Sequence, residues 1–399
     1  MFKFGLFAVV LGTIAFTQSA AAQTLRNAVE GAWALDPQIK TLEARRSEFI
    51  ARQDAAGAFF PAPPAITLSH STDQMIRNNR QRSTELELST PLWLPGEGTA
   101  TEQVAQAELS RTDTQLALAR LTVAGAVRGA VYKYAIAQRE AEIAGRWVQT
   151  ARSLAADVAR RVRAGDAAAV DQDLAEGELA TAQANARDRQ AQVAAERIAL
   201  LSLSGLATPP RTSAEQLAPE SDIRRHPRLQ VAERVIDVAR AKLRLAGIAT
   251  RDSPELGVFA ARNRDTFNTQ YDTILGLRLR IPFASEGRNA PRRAAALAEA
   301  TAAQAEYAAT EREVRAELAT AQGGLAATMA QAPLVERRLQ AERSALGRLQ
   351  RSYNAGEIGF SDVLRARAAL FDAEIAESTN RIKVQQARSR INQALGVVP

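Results

Sequence analysis

The sequence predicts a mostly helical protein that combines long α-helical coiled-coil hairpins with four β-strands and is internally duplicated. Three observations predict this fold. Landmark residues recur at an offset of about 191 positions, two very long stretches have a helix-forming composition, and four short segments alternate between apolar and polar residues.

The duplication is visible in a short motif that occurs twice. Ala-Gly-acid is followed by an aspartate six residues after the glycine, at Gly165/Asp171 and again at Gly356/Asp362. The same near-constant offset relates further pairs: Pro64 and Pro254, Pro91 and Pro282, Glu108 and Glu299, and Gly205 and Gly396. We therefore predict a first repeat at 23–204, a Pro-rich linker at 205–225 and a second repeat at 226–399.

The N-terminus has the features of a secretory signal peptide. Lys3 precedes a short apolar stretch that ends in three alanines, which predicts a signal peptide at 1–22 with cleavage before Gln23. The chain has no cysteine, so stability must come from packing or assembly rather than disulfides. The net charge of +7 would suit nucleic acid, but export, scattered charges and an aromatic content of 5% argue against that partner.

Each repeat contains a pair of alternating segments, which predicts β-hairpins at 64–91 and 254–282. One face carries leucine and isoleucine, as at Leu86 and Leu88. The other is polar, which suits a water-filled lumen, and comprises Thr67, Ser69, Glu85, Glu87, Arg278 and Arg280. Four strands are too few to close a barrel, so if the apolar faces contact lipid, several chains must share one membrane β-barrel. A small soluble sheet explains the alternation equally well, but the position of the hairpins between very long helices favours the barrel.

Long helices follow each hairpin, at about 99–163 and 289–354. At 1.5 Å per residue such helices would be roughly 100 Å long. A coiled-coil seam is indicated by the spacing of Val314, Leu318, Leu325 and Met329. The repeated glycine ends each helix, a second helix returns from about 170 and 361, and Asp171 and Asp362 lie in its first turn. We expect Gly323, Gly324 and Pro333 to loosen or kink the second long helix.

The chain resembles the TolC-type outer-membrane efflux proteins in three features. These are the order of its elements, its duplication, and the two Gly-x5-Asp tips, of which the second is followed by Leu364 and Ala366. The compact size and the absence of a lipid-bearing cysteine are similar to the heavy-metal, CzcC-like branch. The resemblance implies a homotrimer in which three chains form a 12-stranded barrel in outer-membrane lipid, continued by a periplasmic α-barrel. It further implies two partners, a periplasmic adaptor protein and an inner-membrane pump of the resistance-nodulation-division or another class. It implies no cofactor.

Site residues also follow from the resemblance. It places Gly165, Asp166, Gly356 and Glu357 at periplasmic tips that contact the adaptor. The gate would comprise Asp171, Asp362 and Arg365. Arg365 stands where the family often has a second gate acid, which weakens the expected preference for cations.

The sequence has features of three functional classes: an enzyme, a periplasmic coiled-coil adaptor and a passive conduit. An enzyme has little support, because His70 and His226 are the only histidines and no metal-ligand spacing or phosphate-binding loop is present. A periplasmic coiled-coil adaptor shares the Ala-rich hairpins but usually has one hairpin between globular β-domains. A passive conduit of a tripartite efflux system fits the sequence best, with a type I secretion duct as its variant. The cargo stays open between metal cations, drugs, solvents and protein.

Overall fold

The computed structural model describes residues 24–76, 79–211, 214–219, 222–266, 269–283 and 286–399. The predicted signal peptide, 1–22, lies outside the described residues. The chain forms two compact units, one containing the described residues up to Ala32 and Val127–Ala214, the other containing Trp33–Ala126 and Glu215–Pro399. The helices are α1 Leu25–Leu35, α2 Pro37–Ala56, α3 Glu97–Ala164, α4 Ala169–Ser204, α5 Pro227–Ile248, α6 Glu286–Asn354 and α7 Phe360–Ala394.

The N-terminal helical region is divided in two, although its Ala-rich composition with mixed charges predicts one helix over 24–58. Asp36 has an extended backbone, and its Oδ1 accepts a hydrogen bond of 2.9 Å from the Ile39 amide, so it caps α2. Pro37 is the first residue of α2, where its missing N–H costs no helical hydrogen bond. The Asp-Pro pair therefore ends one helix and starts the next.

The first unit contains the hairpin of α3 and α4. Its buried side chains on α3 include Val127, Tyr132 and Ile143, whereas α4 buries mainly alanine. Small side chains let helix backbones approach closely, and an ion pair between Arg189 of α4 and Glu140 of α3 also links the two helices. These contacts hold the two helices of the hairpin together.

The second unit contains the sheet, α5, α6, α7 and the first part of α3. Helix α5 packs on α6 around a small cluster of Ala239, Ala300 and Ala303, and α6 packs along α7. Asn392 of α7 is buried and holds the segment that joins the two halves of the chain: its Oδ1 accepts from the Ala218 amide at 2.9 Å, and its Nδ2 donates to the Gln216 carbonyl at 2.8 Å.

Helix α6 is continuous from Glu286 to Asn354, so the expected weak point at Gly323, Gly324 and Pro333 does not interrupt it. Of the predicted coiled-coil seam, Val314 is fully buried, whereas Met329 is 51% exposed. The seam is thus only partly covered within one chain. None of the helices in the described part of the chain is long and apolar enough to cross a membrane.

Four antiparallel strands form one sheet in the order β1-β2-β3-β4. The strands are β1 Ala65–Thr72, β2 Arg82–Pro91, β3 Glu255–Arg264 and β4 Asp272–Arg280. This confirms the predicted number of strands and the two hairpins. The two hairpins are joined to each other through β2 and β3, so β1 and β4 are the edges of an open sheet.

Candidate functional site: the two faces of the sheet and the two helix tips

One face of the sheet is apolar and exposed. The register places Ile66, Leu88, Val258 and Leu277 in one row across the four strands, and Leu68, Leu86, Ala260 and Leu275 in the next. The large side chains of these rows are between 51% and 77% exposed. Monomeric soluble proteins rarely expose a contiguous apolar surface of this kind, so this face requires an apolar partner.

The opposite face is polar and carries all six of the predicted lumen residues. The register aligns Thr67 with Glu87 and Ser69 with Glu85, and the alternation of β4 puts Arg278 and Arg280 on the same side. Glu255 and Asp272 share this face, so the strands present four carboxylates and two guanidinium groups to it. Its charge is therefore net negative.

The side chain of Arg278, on the edge strand β4, extends across this polar face to β2. Its Nη2 contacts Glu85 Oε1 at 2.6 Å, its Nη1 contacts Glu87, and its guanidinium carbon lies 4.9 Å from the centroid of the Phe259 ring. Arg280 forms a longer contact of 3.5 Å with Glu255. The two arginines thus offset part of the negative charge without cancelling it.

Two strand glycines make room for this cluster. A Cβ at Gly257 would lie 2.5 Å from Glu87 Oε1, and a Cβ at Gly276 would lie 2.5 Å from Cζ of Phe259. Glycine in a strand interior often marks such a close approach. The predicted site residues did not include Phe259, Gly257 or Glu255, although glycines inside two predicted strands were a usable signal for the first two.

Each helix tip is a Schellman turn. At the first, Gly165 has φ 81°, its amide donates to the Val162 carbonyl at 3.0 Å, and the Asp166 amide donates to the Arg161 carbonyl at 2.8 Å. At the second, Gly356 has φ 77° with equivalent bonds to Tyr353 and, from Glu357, to Ser352. No atom among the described residues lies within 4 Å of a Cβ placed at either glycine, so both tips are open to solvent.

The predicted gate residues lie one helical turn beyond these tips. Asp171 and Asp362 are both in the first turn of their helices, α4 and α7, where a carboxylate interacts favourably with the helix dipole. Asp362 also accepts a hydrogen bond from Arg365 of the same turn, and the Arg365 side chain is 78% exposed. The charge of Asp362 is therefore partly balanced within its own chain.

His226 occupies a buried position that sequence analysis did not assign. It caps α5, because its Nδ1 accepts a hydrogen bond of 3.1 Å from the Arg228 amide, and it lines a cavity of about 740 Å³ between α3, α5, α6 and α7. Burial lowers the pKa of His226, and the nearby Arg228 cation lowers it further, against a smaller opposing effect of Glu317. Burial and the Arg228 cation therefore favour the neutral form of the imidazole in the folded chain.

These features, an exposed apolar sheet face backed by a charged one and joined to very long helices, agree with comparisons to known proteins. The family model described as outer membrane efflux protein matches residues 28–206 and again 218–397. The chain belongs to the outer membrane efflux protein family. Each half of the chain therefore matches the same model, in agreement with the predicted internal duplication.

Individual relatives extend this comparison. The cobalt-zinc-cadmium resistance protein CzcC of Cupriavidus metallidurans is 26% identical over 349 residues, which is 84% of this chain and 81% of that protein. The solved structure of CusC has a TM-score of 0.79 at 18% identity, covering 94% of this chain and 92% of that one. The outer-membrane protein VceC of Vibrio cholerae has a TM-score of 0.76 at 18% identity, covering 94% and 96%.

Membership of this family establishes the general activity of the chain. Outer membrane efflux proteins are passive conduits in the outer membrane that extend into the periplasm, so the chain is a transport protein and not an enzyme. The periplasmic adaptor considered from the sequence is a different class of protein and is excluded by the family match.

Proposed function

We propose that three copies of this efflux protein form one channel whose 12-stranded barrel places the apolar sheet face in lipid and the polar face in the lumen. The observation that carries this proposal is the open sheet itself. Its edges, β1 and β4, have unpaired backbone groups facing outward, and such groups are not tolerated in hydrocarbon. Pairing β4 of one copy with β1 of the next satisfies both edges at once.

We further propose that the cargo is divalent metal cations. The polar sheet face carries four carboxylates against two guanidinium groups, and a net negative lumen raises the local concentration of cations. The similarity to a cobalt-zinc-cadmium resistance protein supports the same cargo class. In this scheme the tips at Gly165/Asp166 and Gly356/Glu357 contact a periplasmic adaptor, an inner-membrane pump selects the cargo, and Asp171 with Asp362 and Arg365 controls access.

Single cysteines test the channel proposal, because the wild-type chain has none. Light scattering in detergent should give the mass of a trimer. In planar bilayers, a charged thiol reagent should change the conductance of the Glu85→Cys variant and leave the adjacent Leu86→Cys variant unchanged. A stable monomer, or a response at Leu86→Cys alone, would contradict the proposed assembly or its face assignment.

A separate experiment tests the cargo. Deletion of the gene from its host should raise sensitivity to cobalt, zinc and cadmium salts, and the wild-type chain should restore resistance. If deletion instead raises sensitivity to drugs or solvents, or blocks secretion of a protein, the channel proposal stands and the cargo proposal is wrong.

A further inference from the structure

Three arginines lie on the apolar face of the sheet, beyond its apolar rows and next to the hairpin turns. Along β3 the outward-facing positions run Leu256, Val258, Ala260, Arg262 and Arg264. Arg82 of β2 is the register partner of Arg264 and therefore lies on the same face. We name Arg82, Arg262 and Arg264 the arginine rim.

The arginine rim has no acidic partner among the described residues. None of its three side chains forms an ion pair with a carboxylate among the residues that the structure describes. All four carboxylates of the strands lie on the opposite, polar face. In addition, Arg82 and Arg264 are directly opposite each other across the β2–β3 ladder, and like charges in that arrangement are destabilising. An anion bound between them would remove this repulsion.

Neighbouring groups hold two of the three rim arginines, Arg262 and Arg264, in position. The guanidinium carbons of Arg262 and Arg264 lie 4.6 Å and 5.0 Å from the centroid of the Tyr271 ring. Nε and Nη2 of Arg264 also donate to the Arg80 carbonyl, at 3.2 Å and 3.1 Å, and Arg80 has the left-handed φ of 62°. Arg82 and Arg262 remain exposed to solvent. Arg262 and Arg264 are therefore held in place, and the exposed guanidinium groups of the rim still have N–H donors available.

The placement of the rim matches one boundary of a lipid bilayer. Leu256 and Arg264 are eight residues apart on β3, which at about 3.3 Å per residue is roughly 26 Å along the strand. For a strand tilted by about 40° this is roughly 20 Å along the membrane normal, most of the ~25 Å apolar band of membrane barrels. Tyr271, which is 38% exposed, is a residue type enriched at such boundaries. The other ends of the strands lead into α3 and α6, so the rim lies at the end away from the periplasmic helices.

The rim would stay exposed in the assembled channel. It lies on β2 and β3, the two central strands, whereas another copy can add a strand only at β1 or β4. The arginine rim therefore continues the lipid-facing surface and is not part of a contact between copies.

We propose that the arginine rim binds the phosphate groups of lipids in the outer leaflet of the outer membrane. The proposal rests on the proposed function, which places the apolar face in lipid. Guanidinium groups bind phosphate through paired N–H···O hydrogen bonds, and the unpaired positive charge of the rim complements an anionic headgroup. The site would anchor the barrel at a fixed depth by binding headgroups above the apolar rows.

Calorimetric titration of the purified full-length protein with a diphosphorylated lipid A in mixed micelles tests this site. Each arginine near a charged membrane surface contributes about 1 kcal/mol, so we expect the triple variant Arg82→Gln/Arg262→Gln/Arg264→Gln to bind on the order of 100-fold more weakly. A matched control removes three exposed arginines of α6, namely Arg337→Gln, Arg338→Gln and Arg348→Gln. The control should bind as the wild type does.

Two further titrants identify the source of the phosphate. Lipid A stripped of both phosphates should lose the affinity, whereas inorganic phosphate at millimolar concentration should not displace the phosphorylated lipid. Wild-type affinity in the triple variant, or equal binding of the stripped lipid, would overturn the proposal. Displacement by inorganic phosphate would assign the rim to a soluble anion and would also overturn it.

Folding and channel formation are monitored separately. Arg82→Lys/Arg262→Lys/Arg264→Lys keeps the charge but lacks the paired donors, so it should regain part of the affinity while remaining assembled. If the triple glutamine variant has both wild-type conductance and wild-type lipid binding, the proposal for the arginine rim is refuted and the proposed channel function stands. Absence of channels in the wild-type protein would refute the proposed function, whatever the lipid titration gives.

Discussion

Glu87 and Arg278 occupy equivalent positions in the two halves of the chain, 191 residues apart, and form an ion pair with each other. The two strands that carry them, β2 and β4, are separated by β3, so the pair spans the intervening strand. It can do so because Gly257 of β3 has no side chain beneath the Glu87 carboxylate. The duplication thus places opposite charges at matching sites, and the fold brings them together.

Replacing Arg278 should increase the preference of the channel for cations. Arg278→Gln removes one of two guanidinium groups from the polar sheet face and releases the carboxylates of Glu85 and Glu87. The net charge of the face becomes more negative in every copy, so the reversal potential in a salt gradient should move toward the potassium value. The control Arg337→Gln, on α6, should leave the reversal potential unchanged. A shift toward anion selectivity in Arg278→Gln would show that this face does not line the pore.

A methyl group at position 257 should have a similar but smaller effect. The Gly257→Ala Cβ would come within 2.5 Å of Glu87 Oε1, and the flexible carboxylate would move away rather than disrupt the strand. We expect near-wild-type thermal stability with altered cation selectivity, measured on the same bilayers. Gly129→Ala is the matched control, because no described atom lies within 4 Å of a Cβ there. Unchanged selectivity in Gly257→Ala would mean that the Glu87–Arg278 contact has no role in permeation.

Local sequence patterns predicted most of the fold. Alternation with a period of two identified the strands and their faces, because residues such as Leu86 and Glu87 must point to opposite sides of any sheet. The Ala-Gly-acid motif identified both helix ends, because a left-handed terminal residue favours glycine at Gly165 and Gly356. The Asp36-Pro37 break was missed, although a capping residue followed by proline is a recognised helix start.

Contacts between distant segments could not be predicted in the same way. The ion pairs of Arg278 depend on the register of β2 against β3, two strands that belong to different halves of the chain. No local pattern specifies that register. The buried environment of His226 likewise depends on how α5 packs in the second unit.

The position of His226 predicts a pH-dependent stability. Burial and the Arg228 cation lower the pKa of the folded-state imidazole below its ordinary value of 6.5, so the unfolded state binds more protons as the pH falls through 6.5 toward the folded pKa. The contribution of His226 to stability is fully present above pH 6.5 and declines below it. The midpoint of thermal unfolding should therefore decrease between pH 7.5 and pH 5.5.

The variant His226→Asn isolates this effect, because an asparagine oxygen can still cap α5 but does not titrate. Its unfolding midpoint should fall less than that of the wild type over the same pH range. Identical pH profiles for wild type and His226→Asn would contradict a neutral buried imidazole.

Opposite effects are expected from the two members of the ion pair at the second tip. Asp362→Ala removes a carboxylate and leaves the exposed Arg365 unbalanced, whereas Arg365→Ala leaves Asp362 without its neighbouring cation. If these residues line the gate, divalent cations should block Arg365→Ala channels at lower concentration than wild type and Asp362→Ala channels at higher concentration. Titration of calcium or magnesium onto single channels measures both. The same blocking concentration in all three proteins would remove Asp362 and Arg365 from the gate.

The glycine of the second tip should be required for efflux and not for assembly. Gly356 has φ 77°, so Gly356→Val would cost on the order of 1–2 kcal/mol in backbone strain, while the open space around it avoids any clash. Strain of this size is small for a trimer, but it should distort the turn that presents Glu357, and with it the proposed adaptor surface. We expect normal trimer in detergent, normal conductance and loss of metal resistance in cells. Gly323→Val, the same substitution inside α6, has equally open surroundings and no positive φ, so resistance should persist. Full resistance with Gly356→Val would show that the repeated Ala-Gly-acid motif only ends a helix and does not bind the adaptor.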